Sequence, residues 1–258
     1  MKIIPNKENT ESLIKLWSDV FGDEREYIEL LFPYGKSVCD IFAEFDGDEI
    51  VSALYLLDCS LSFGGVQYNG KYLYAAATDE KYRGKGIMAS LINEAKRYCK
   101  SAGLDYISLV PANEGLYNYY EKFGFVSAMH RTTVSGAYEI SLATETEISG
   151  EEYFAERKKR LHNSLNFTGN SVGYAISCLE YSGMKFFRNS TGQLFMTEGE
   201  SVFFDEFIDG KNAMRFLVNN EIGENSISSD RFGMLYPINA ELIRDWNSDD
   251  LYMNIALD

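Results

Sequence analysis

The chain has 258 residues, of which 45% are hydrophobic, and this length allows one large domain or two small ones around a substantial core. The 39 acidic and 24 basic residues give a formal net charge of −15, which argues against binding to nucleic acid or an anionic membrane but is compatible with a cationic substrate. No apolar run approaches the length of a membrane span, and the N-terminus lacks the apolar core of a signal peptide. Four scattered cysteines and two histidines indicate neither a disulfide framework nor a metal site, so we expect a cytoplasmic protein.

Two helices are predicted at the start of the chain, over residues 10–33. Gly22 and Asp23 divide them, because they interrupt the apolar stripe before a second, shorter helix begins. The stripe of the first helix consists of Leu13, Ile14, Leu16, Trp17, Val20 and Phe21.

An antiparallel meander is predicted next. Strands at 38–46 and 49–59 are joined by the hairpin signal Asp46-Gly47-Asp48, and a third strand at 60–68 follows closely. Glu44 lies in this sheet, where a solvent-facing position is favoured over the role of a buried catalytic base.

A strand, a basic glycine loop and a helix follow in direct succession. The apolar run Tyr72–Thr78 predicts a buried strand, and apolar positions at helical spacing from Ile87 predict an amphipathic helix that ends near Gly103. The loop between them, Arg83-Gly84-Lys85-Gly86, offers unpaired backbone N–H groups and the positive end of a helix dipole. It therefore suits a phosphate or pyrophosphate, although a tight turn with solvated basic side chains explains it equally well on its own.

A second motif changes that balance. A short strand at 106–111 leads into Asn113-Glu-Gly-Leu-Tyr-Asn-Tyr-Tyr-Glu-Lys-Phe-Gly-Phe125. Together with Lys81-Tyr-Arg-Gly-Lys-Gly86, this motif resembles the GNAT superfamily of acetyl-CoA-dependent N-acetyltransferases, whose first motif is commonly Gln/Arg-x-x-Gly-x-Gly/Ala. Lys81 in the Gln/Arg place is the one departure. The resemblance implies an α/β (α+β) GNAT fold, with a mixed, mostly antiparallel twisted sheet flanked by helices.

The resemblance also implies acetyl-CoA as the cofactor and a primary amine of a small, cationic molecule as the direct acceptor. The edge of the strand would pair with the pantetheine arm and polarise the acetyl carbonyl, and Asn113 and Tyr117 would contact the arm, Asn113 also serving as a helix N-cap. The predicted strand-edge residues are Ala76, Ala77 and Thr78. The backbone amides predicted to hold the pyrophosphate are those of Arg83, Gly84, Lys85, Gly86, Ile87 and Met88.

Tyr120 is the predicted general acid, which would protonate the leaving thiolate. The motif alignment selects it over the neighbouring Tyr117 and Tyr119. The base stays open between a water chain, Glu44 and Asp258, and no metal is required.

A domain boundary is predicted between residues 142 and 143, where a strand gives way to a polar, acidic stretch. Residues 1–142 would form the catalytic domain and residues 143–258 a degenerate GNAT-like domain that repeats the order of elements without the motifs. A run of four basic residues at 157–160 is interpreted as a solvated helix face rather than a phosphate contact. The elements predicted for the second half are helices at 150–165, 171–182 and 210–220, and strands at 184–189, 193–198, 201–208, 232–237 and 251–257.

Three functions are weighed. The run Gly86-Ile-Met-Ala-Ser-Leu-Ile and the two-domain length resemble bacterial acetyltransferases of the enhanced-intracellular-survival type. The joint presence of Arg83, Gly84, Gly86, Asn113 and Tyr120 favours catalysis, since a protein that only binds acyl-CoA would not need Tyr120. The alternatives are a non-catalytic acyl-CoA-binding or protein-interaction module and a transferase that uses aminoacyl-tRNA. The intact glycine loop and the charge of −15 count against the last of these.

Overall fold

A computed structural model describes residues 1–3, 6–33, 37–136, 145–198, 203–209, 212–218, 226–239, 242 and 251. The helices found there are α1 (Lys7–Phe21), α2 (Arg25–Glu29), α3 (Ile87–Ser101), α4 (Glu114–Glu121), α5 (Gly150–Arg160) and α6 (Asn170–Tyr181). The strands are β1 (Lys2–Ile3), β2 (Asp40–Asp46), β3 (Glu49–Phe63), β4 (Val66–Thr78), β5 (Tyr106–Leu109), β6 (Val126–Gly136), β7 (Thr146–Ile148), β8 (Ser164–Phe167), β9 (Met184–Arg188), β10 (Leu194–Glu198), β11 (Phe203–Asp209), β12 (Asn212–Val218) and β13 (Ser226–Pro237).

The strands of the described residues join in one mixed sheet. Their order is β1-β2-β3-β4-β5-β13-β6-β12-β11-β10-β9-β7, and β8 pairs with β3 outside this path. The pairs β4–β5 and β6–β12 are parallel, while the other pairs are antiparallel. Helices cover this mostly antiparallel sheet, which confirms the predicted fold class.

Strand β4 separates two apolar cores. Tyr72 and Tyr74 belong to the core that contains Trp17 of α1, whereas Leu73 belongs to the core that contains Leu91 of α3. This division follows from the alternation of side chains along a strand. A ligand that enters beside β4 therefore has the helices α1 and α2 on one side and α3 and α4 on the other.

The hairpin β3–β4 is longer than the predicted meander. The predicted strands at 60–68 and 72–78 are both parts of this hairpin, whose turn lies between Phe63 and Val66. Gly64 and Gly65 have φ angles of 57° and 78°, a backbone conformation that glycine adopts without steric cost.

The two halves of the chain share this sheet. Strand β13 lies between β5 and β6, where Met234 pairs with Leu109 on one side and Ser127 on the other. Strand β8 extends the sheet at β3. The predicted boundary at 142/143 falls within residues 137–144, outside the described residues.

Several elements of the second half match their predictions and two do not. Helix α6 and strands β9, β10, β11 and β13 lie where predicted. The helix predicted at 150–165 is too long, because α5 ends at Arg160 and β8 follows it. The helix predicted at 210–220 is wrong, because β12 occupies this stretch and pairs with β11. Most of the strand predicted at 251–257 lies outside the described residues, since only Leu251 is described.

The interpretation of the basic run as a solvated face is wrong for Arg157. Its guanidinium is 1% exposed, and its Nε donates to the buried carboxylate of Glu206 at 2.8 Å. Tyr153 donates to the same carboxylate at 2.9 Å, and Asn166 accepts from Arg157 Nη1 at 2.7 Å. A fully hydrogen-bonded partner set of this kind is what a buried guanidinium requires, so Arg157 fixes α5 onto the sheet.

Candidate active site

The sheet opens between β4 and β5. Their parallel pairing covers only Gly70 with Tyr106, Lys71 with Ile107, and Tyr72 with Ser108. Strand β4 nevertheless continues to Thr78, and among the described residues no strand pairs with its edge beyond Tyr72 on the β5 side. Backbone N–H and C=O groups seek hydrogen-bond partners, and this edge is therefore available to an extended ligand.

A bulge in β4 lies at this open edge. The pairing of β3 with β4 shifts register between Ala53 and Tyr55, and Ala75 has a φ of 44°. A left-handed conformation costs a residue with a Cβ roughly 1–2 kcal/mol, and bulges redirect backbone and side chains next to functional sites. Ala75 was not among the predicted site residues, because the sequence Ala75-Ala-Ala77 contains no glycine to signal a positive φ.

Helix α3 begins directly after the glycine loop. Gly84 and Gly86 have φ angles of 75° and 78°, and a Cβ at either position would meet no atom within 4 Å. Gly86 is the N-cap of α3 and supplies no side-chain hydrogen bond, so the N–H groups of the first turn stay open to an anion. Arg83 and Lys85 are exposed, and Arg83 Nε donates to the Thr78 carbonyl at 3.0 Å. The predicted pyrophosphate residues are thus brought together at the end of β4.

A cleft of about 400 Å³ lies at the opening of the sheet. Its walls come from the α1–α2 turn, β4, the end of β5 and helix α4. It brings the predicted residues Ala76 and Tyr120 together. The lining residues are Trp17, Phe21, Asp23, Tyr72, Leu73, Tyr74, Ala75, Ala76, Leu109, Val110, Pro111, Ala112, Leu116 and Tyr120.

Tyr120 is buried in this cleft. Its ring packs edge-on against Phe125 at 5.6 Å between centroids and against Tyr119 at 5.3 Å. Burial raises the pKa of Tyr120 well above its ordinary value of 10.0. The hydroxyl therefore keeps its proton throughout the neutral range.

The comparison with protein families agrees with this geometry. Residues 4–128 match the family model described as an acetyltransferase (GNAT) domain. Residues 4–128 are a GNAT domain. The matched family consists of acetyltransferases, which are acyl-transferring enzymes, and the matched residues include the glycine loop and Tyr120.

Solved structures share the fold of nearly the whole chain. A GCN5-related N-acetyltransferase from Kribbella flavida superimposes with a TM-score of 0.63 at 13% identity, over 93% of this chain and 72% of that one. Eis1 from Mycobacterium abscessus superimposes with a TM-score of 0.65 at 11% identity, over 94% of this chain and 74% of that one. A GCN5-related N-acetyltransferase from Anabaena variabilis superimposes with a TM-score of 0.65 at 14% identity, over 93% of this chain and 73% of that one. A search of curated proteins found no significant match.

Asn113 and Tyr117 are among the predicted site residues that do not line the cleft. Asn113 is exposed and caps α4, accepting from the Leu116 N–H at 3.2 Å, as one of its two predicted roles requires. Tyr117 donates to the Phe232 carbonyl at 3.0 Å, and the Arg231 guanidinium lies 4.0 Å from its ring centroid. The Tyr117 hydroxyl thus ties α4 to β13, and its predicted contact with the pantetheine arm stays a prediction.

Ala77 and Thr78 are fixed from the β3 side of the GNAT domain. The buried Ser52 donates to the Ala77 carbonyl at 3.0 Å and forms a hydrogen bond with the Thr78 hydroxyl at 2.8 Å. Of the two carboxylates considered as bases, Glu44 is exposed on β2 and does not line the cleft, and Asp258 lies outside the described residues.

The α1–α2 turn adds cleft residues that the sequence motifs did not identify. Trp17 Nε1 donates to Asp23 Oδ2 at 2.7 Å, and both residues line the cleft with Phe21. The only sequence signal was the break in the apolar stripe at Gly22, which marks a turn but not a site. In the described part of the chain, no three metal-binding side chains converge, and no helix is long and apolar enough to cross a membrane.

Proposed function

We propose that this chain is an acetyl-CoA-dependent N-acetyltransferase that acetylates a primary amine of a small, cationic molecule, with Tyr120 as the general acid. The observation that carries the proposal is that the open edge of β4 and the buried Tyr120 line one cleft. An activated acyl group and the acid that protonates its leaving group must lie in the same cleft.

The residues of the opening fit acetyl-CoA. The uncapped first turn of α3 and the open space at Gly84 and Gly86 suit the pyrophosphate. The unpaired edge of β4 at Ala75 and Ala76 suits the amide groups of the pantetheine arm. The cofactor supplies an acetyl group activated as a thioester.

Transfer to a neutral amine forms a bond between nitrogen and the acetyl carbon and breaks the carbon–sulfur bond, and the nitrogen releases one proton to a water chain. The sulfur leaves with the bonding electrons and takes up a proton, which we assign to the Tyr120 hydroxyl. A free thiol has a pKa of about 8.5 and a tyrosine of about 10, so donation is uphill in water. In the cleft, burial raises the pKa of Tyr120 but also disfavours a thiolate, which keeps the transfer feasible.

We further propose that residues 1–142 carry the chemistry and that residues 143–258 are a degenerate GNAT-like domain whose residues pack behind the cleft lining. Strands β13 and β8 of the second half pair with strands of the first half, which favours a structural role for the second half. The free thiols of all four cysteines are in keeping with the reducing cytoplasm expected from the sequence.

The test combines ligand-induced stabilisation with turnover. Acetyl-CoA at a hundredfold excess over its dissociation constant should stabilise the protein by about 2.7 kcal/mol. With an amine panel, thiol release should fall in Tyr120→Phe by roughly 10²–10⁴-fold. Tyr119→Phe, which removes a neighbouring hydroxyl from the same helix, is the matched control and should retain the wild-type rate. Burial raises the pKa of Cys59 and Cys99 to about 12, so these thiols add little background.

The outcomes separate the functions. Stabilisation together with amine-dependent release that Tyr120→Phe abolishes supports the enzyme. Stabilisation without turnover on any amine favours a binding module. No stabilisation means that the glycine loop is only a turn, and the proposal fails.

A further inference from the structure

One carboxylate lines the cleft among the residues that the structure describes. Its fourteen lining residues are apolar or aromatic apart from Asp23, and Asp23 stands on the α1–α2 turn. Helix α1 covers the core on the Tyr74 side of β4, whereas α4 with Tyr120 covers the other core. Asp23 therefore enters the cleft from the opposite face of the sheet to Tyr120.

Asp23 is held in a fixed position. Trp17, 2% exposed, donates its indole N–H to Asp23 Oδ2 at 2.7 Å, and Ser18 donates to the Asp23 carbonyl at 3.1 Å. Gly22 closes α1 with a φ of 81°, which turns the chain so that Asp23 follows directly. The indole bond engages one carboxylate oxygen, and the half-buried side chain leaves the other to a ligand.

Three aromatic rings line the same cleft as this carboxylate. The Trp17 ring lies 5.3 Å from the Tyr74 ring between centroids, and Tyr72 and Tyr74 are 6.3 Å apart. All three rings line the cleft. Aromatic faces attract organic cations, more strongly where water is excluded, so the ring wall and the carboxylate favour the same kind of ligand.

The second half of the chain supports the ring wall from behind. Phe167 of β8 packs edge-on against Tyr72 at 5.5 Å, and Tyr174 of α6 packs against Tyr74 at 6.1 Å. Tyr27 of α2 forms a hydrogen bond with the Tyr74 hydroxyl at 3.0 Å. The rings are therefore fixed by contacts that span both halves.

We infer that Asp23, oriented by Trp17, binds a cationic group of the acceptor and selects organic ammonium compounds with an apolar body. This inference rests on the proposed acetyl transfer and names the substrate class of the same cleft. Hydrogen bonds to charged groups are the strong ones, and an anionic acceptor would place like charge beside Asp23. The inferred acceptors thus carry an ammonium group besides the amine that reacts, as small diamines do, rather than the carboxylate of an amino acid.

The experiment measures a ratio that structural damage alone does not change. The kcat/KM for an α,ω-diamine is divided by that for the ω-amino acid of the same chain length. The wild type should prefer the diamine, and Asp23→Asn should lower this preference by about tenfold to a hundredfold, mainly through KM. Glu8→Gln removes the same charge from the exposed first turn of α1 and should leave the ratio unchanged.

Two further arms keep the inference separate from the proposed function. Asp23→Lys should reverse the preference, and it also serves if Asp23→Asn does not fold. Binding of the diamine alone, measured by calorimetry, needs no turnover, and the wild type should bind it more tightly than Asp23→Asn. An unchanged ratio in both Asp23 variants, or equal diamine binding, overturns the inference even where acetyl transfer is observed. If acetyl-CoA does not stabilise the wild type against unfolding, in contrast, the proposed function is overturned.

Discussion

Strand β13 is the point at which the second half of the chain enters the first, and Met234→Ala tests this arrangement. Met234 is fully buried in the core that contains Leu91, Tyr117 and Tyr120. Its backbone pairs with Leu109 of β5 and its strand pairs with β6 on the other side. The side chain thus belongs to the core of the GNAT domain although it lies far along the chain.

The expected loss of stability follows from its burial. Truncation of a fully buried methionine to alanine removes its transfer free energy and leaves a cavity, which together cost about 2–5 kcal/mol. That is a large fraction of the roughly 5–15 kcal/mol that stabilises a folded domain. Because Met234 belongs to the same core as Tyr120, we also expect weaker stabilisation by acetyl-CoA.

The assay is urea unfolding of the full chain, with Ile227→Ala as the matched control. Ile227 lies on the same strand but is 74% exposed, so its truncation should change the free energy of unfolding by less than about 0.5 kcal/mol. Met234→Ala should lower the urea midpoint with an unchanged m-value. Equal stabilities of the two variants would refute the placement of β13 in the central sheet.

Two further predictions concern buried ionisable groups. Glu206→Gln leaves the Arg157 charge buried without its counterion and should lower the free energy of unfolding by about 3–5 kcal/mol. The control Glu156→Gln, on the surface of the same helix as Arg157, should lower it by at most about 1 kcal/mol. Similar losses in the two variants, measured by thermal or urea unfolding, would contradict the buried ion pair. Alkaline unfolding should begin above pH 10, because the folded protein retains protons on buried tyrosines that the unfolded chain releases there. Stability is therefore complete below the ordinary pKa of 10.0 and falls by about 1.4 kcal/mol per pH unit for each buried tyrosine. Full ionisation of all the tyrosines before unfolding, measured by tyrosinate absorbance, would contradict this prediction. The tyrosines whose pKa burial raises are Tyr27, Tyr55, Tyr74, Tyr106, Tyr120 and Tyr174.

The glycine loop could be predicted because its information is local. Gly84 and Gly86 stand between an apolar run and an amphipathic helix, and positive φ at both positions is a property that glycine supplies. Asn113 was likewise predictable as an N-cap from its place before an apolar run. Elements of this kind depend on neighbours along the chain.

The error at 210–220 shows what local reasoning overlooked. Asp209-Gly210 is an Asp-Gly hairpin signal of the same type as Asp46-Gly47, and Asp209 pairs with Asn212. Arg157 shows a different limit. Four basic residues in a row predict a solvated face, and nothing near Arg157 in the sequence announces that Glu206 will lie against it.

The two sides of the cleft differ for the same reason. The proposed donor side comprises the edge of β4 and Tyr120, with the glycine loop directly after β4 in the chain. These parts lie within one continuous stretch, so the motif can be recognised in the sequence. The inferred acceptor side combines Asp23 with rings from β4 that are supported by Phe167 and Tyr174 of the second half. In the sequence, such aromatic residues cannot be distinguished from ordinary core residues, because only their position beside an open strand edge makes them part of a site. The acceptor therefore has to be inferred from the folded structure, where a carboxylate and aromatic rings come together around one cavity.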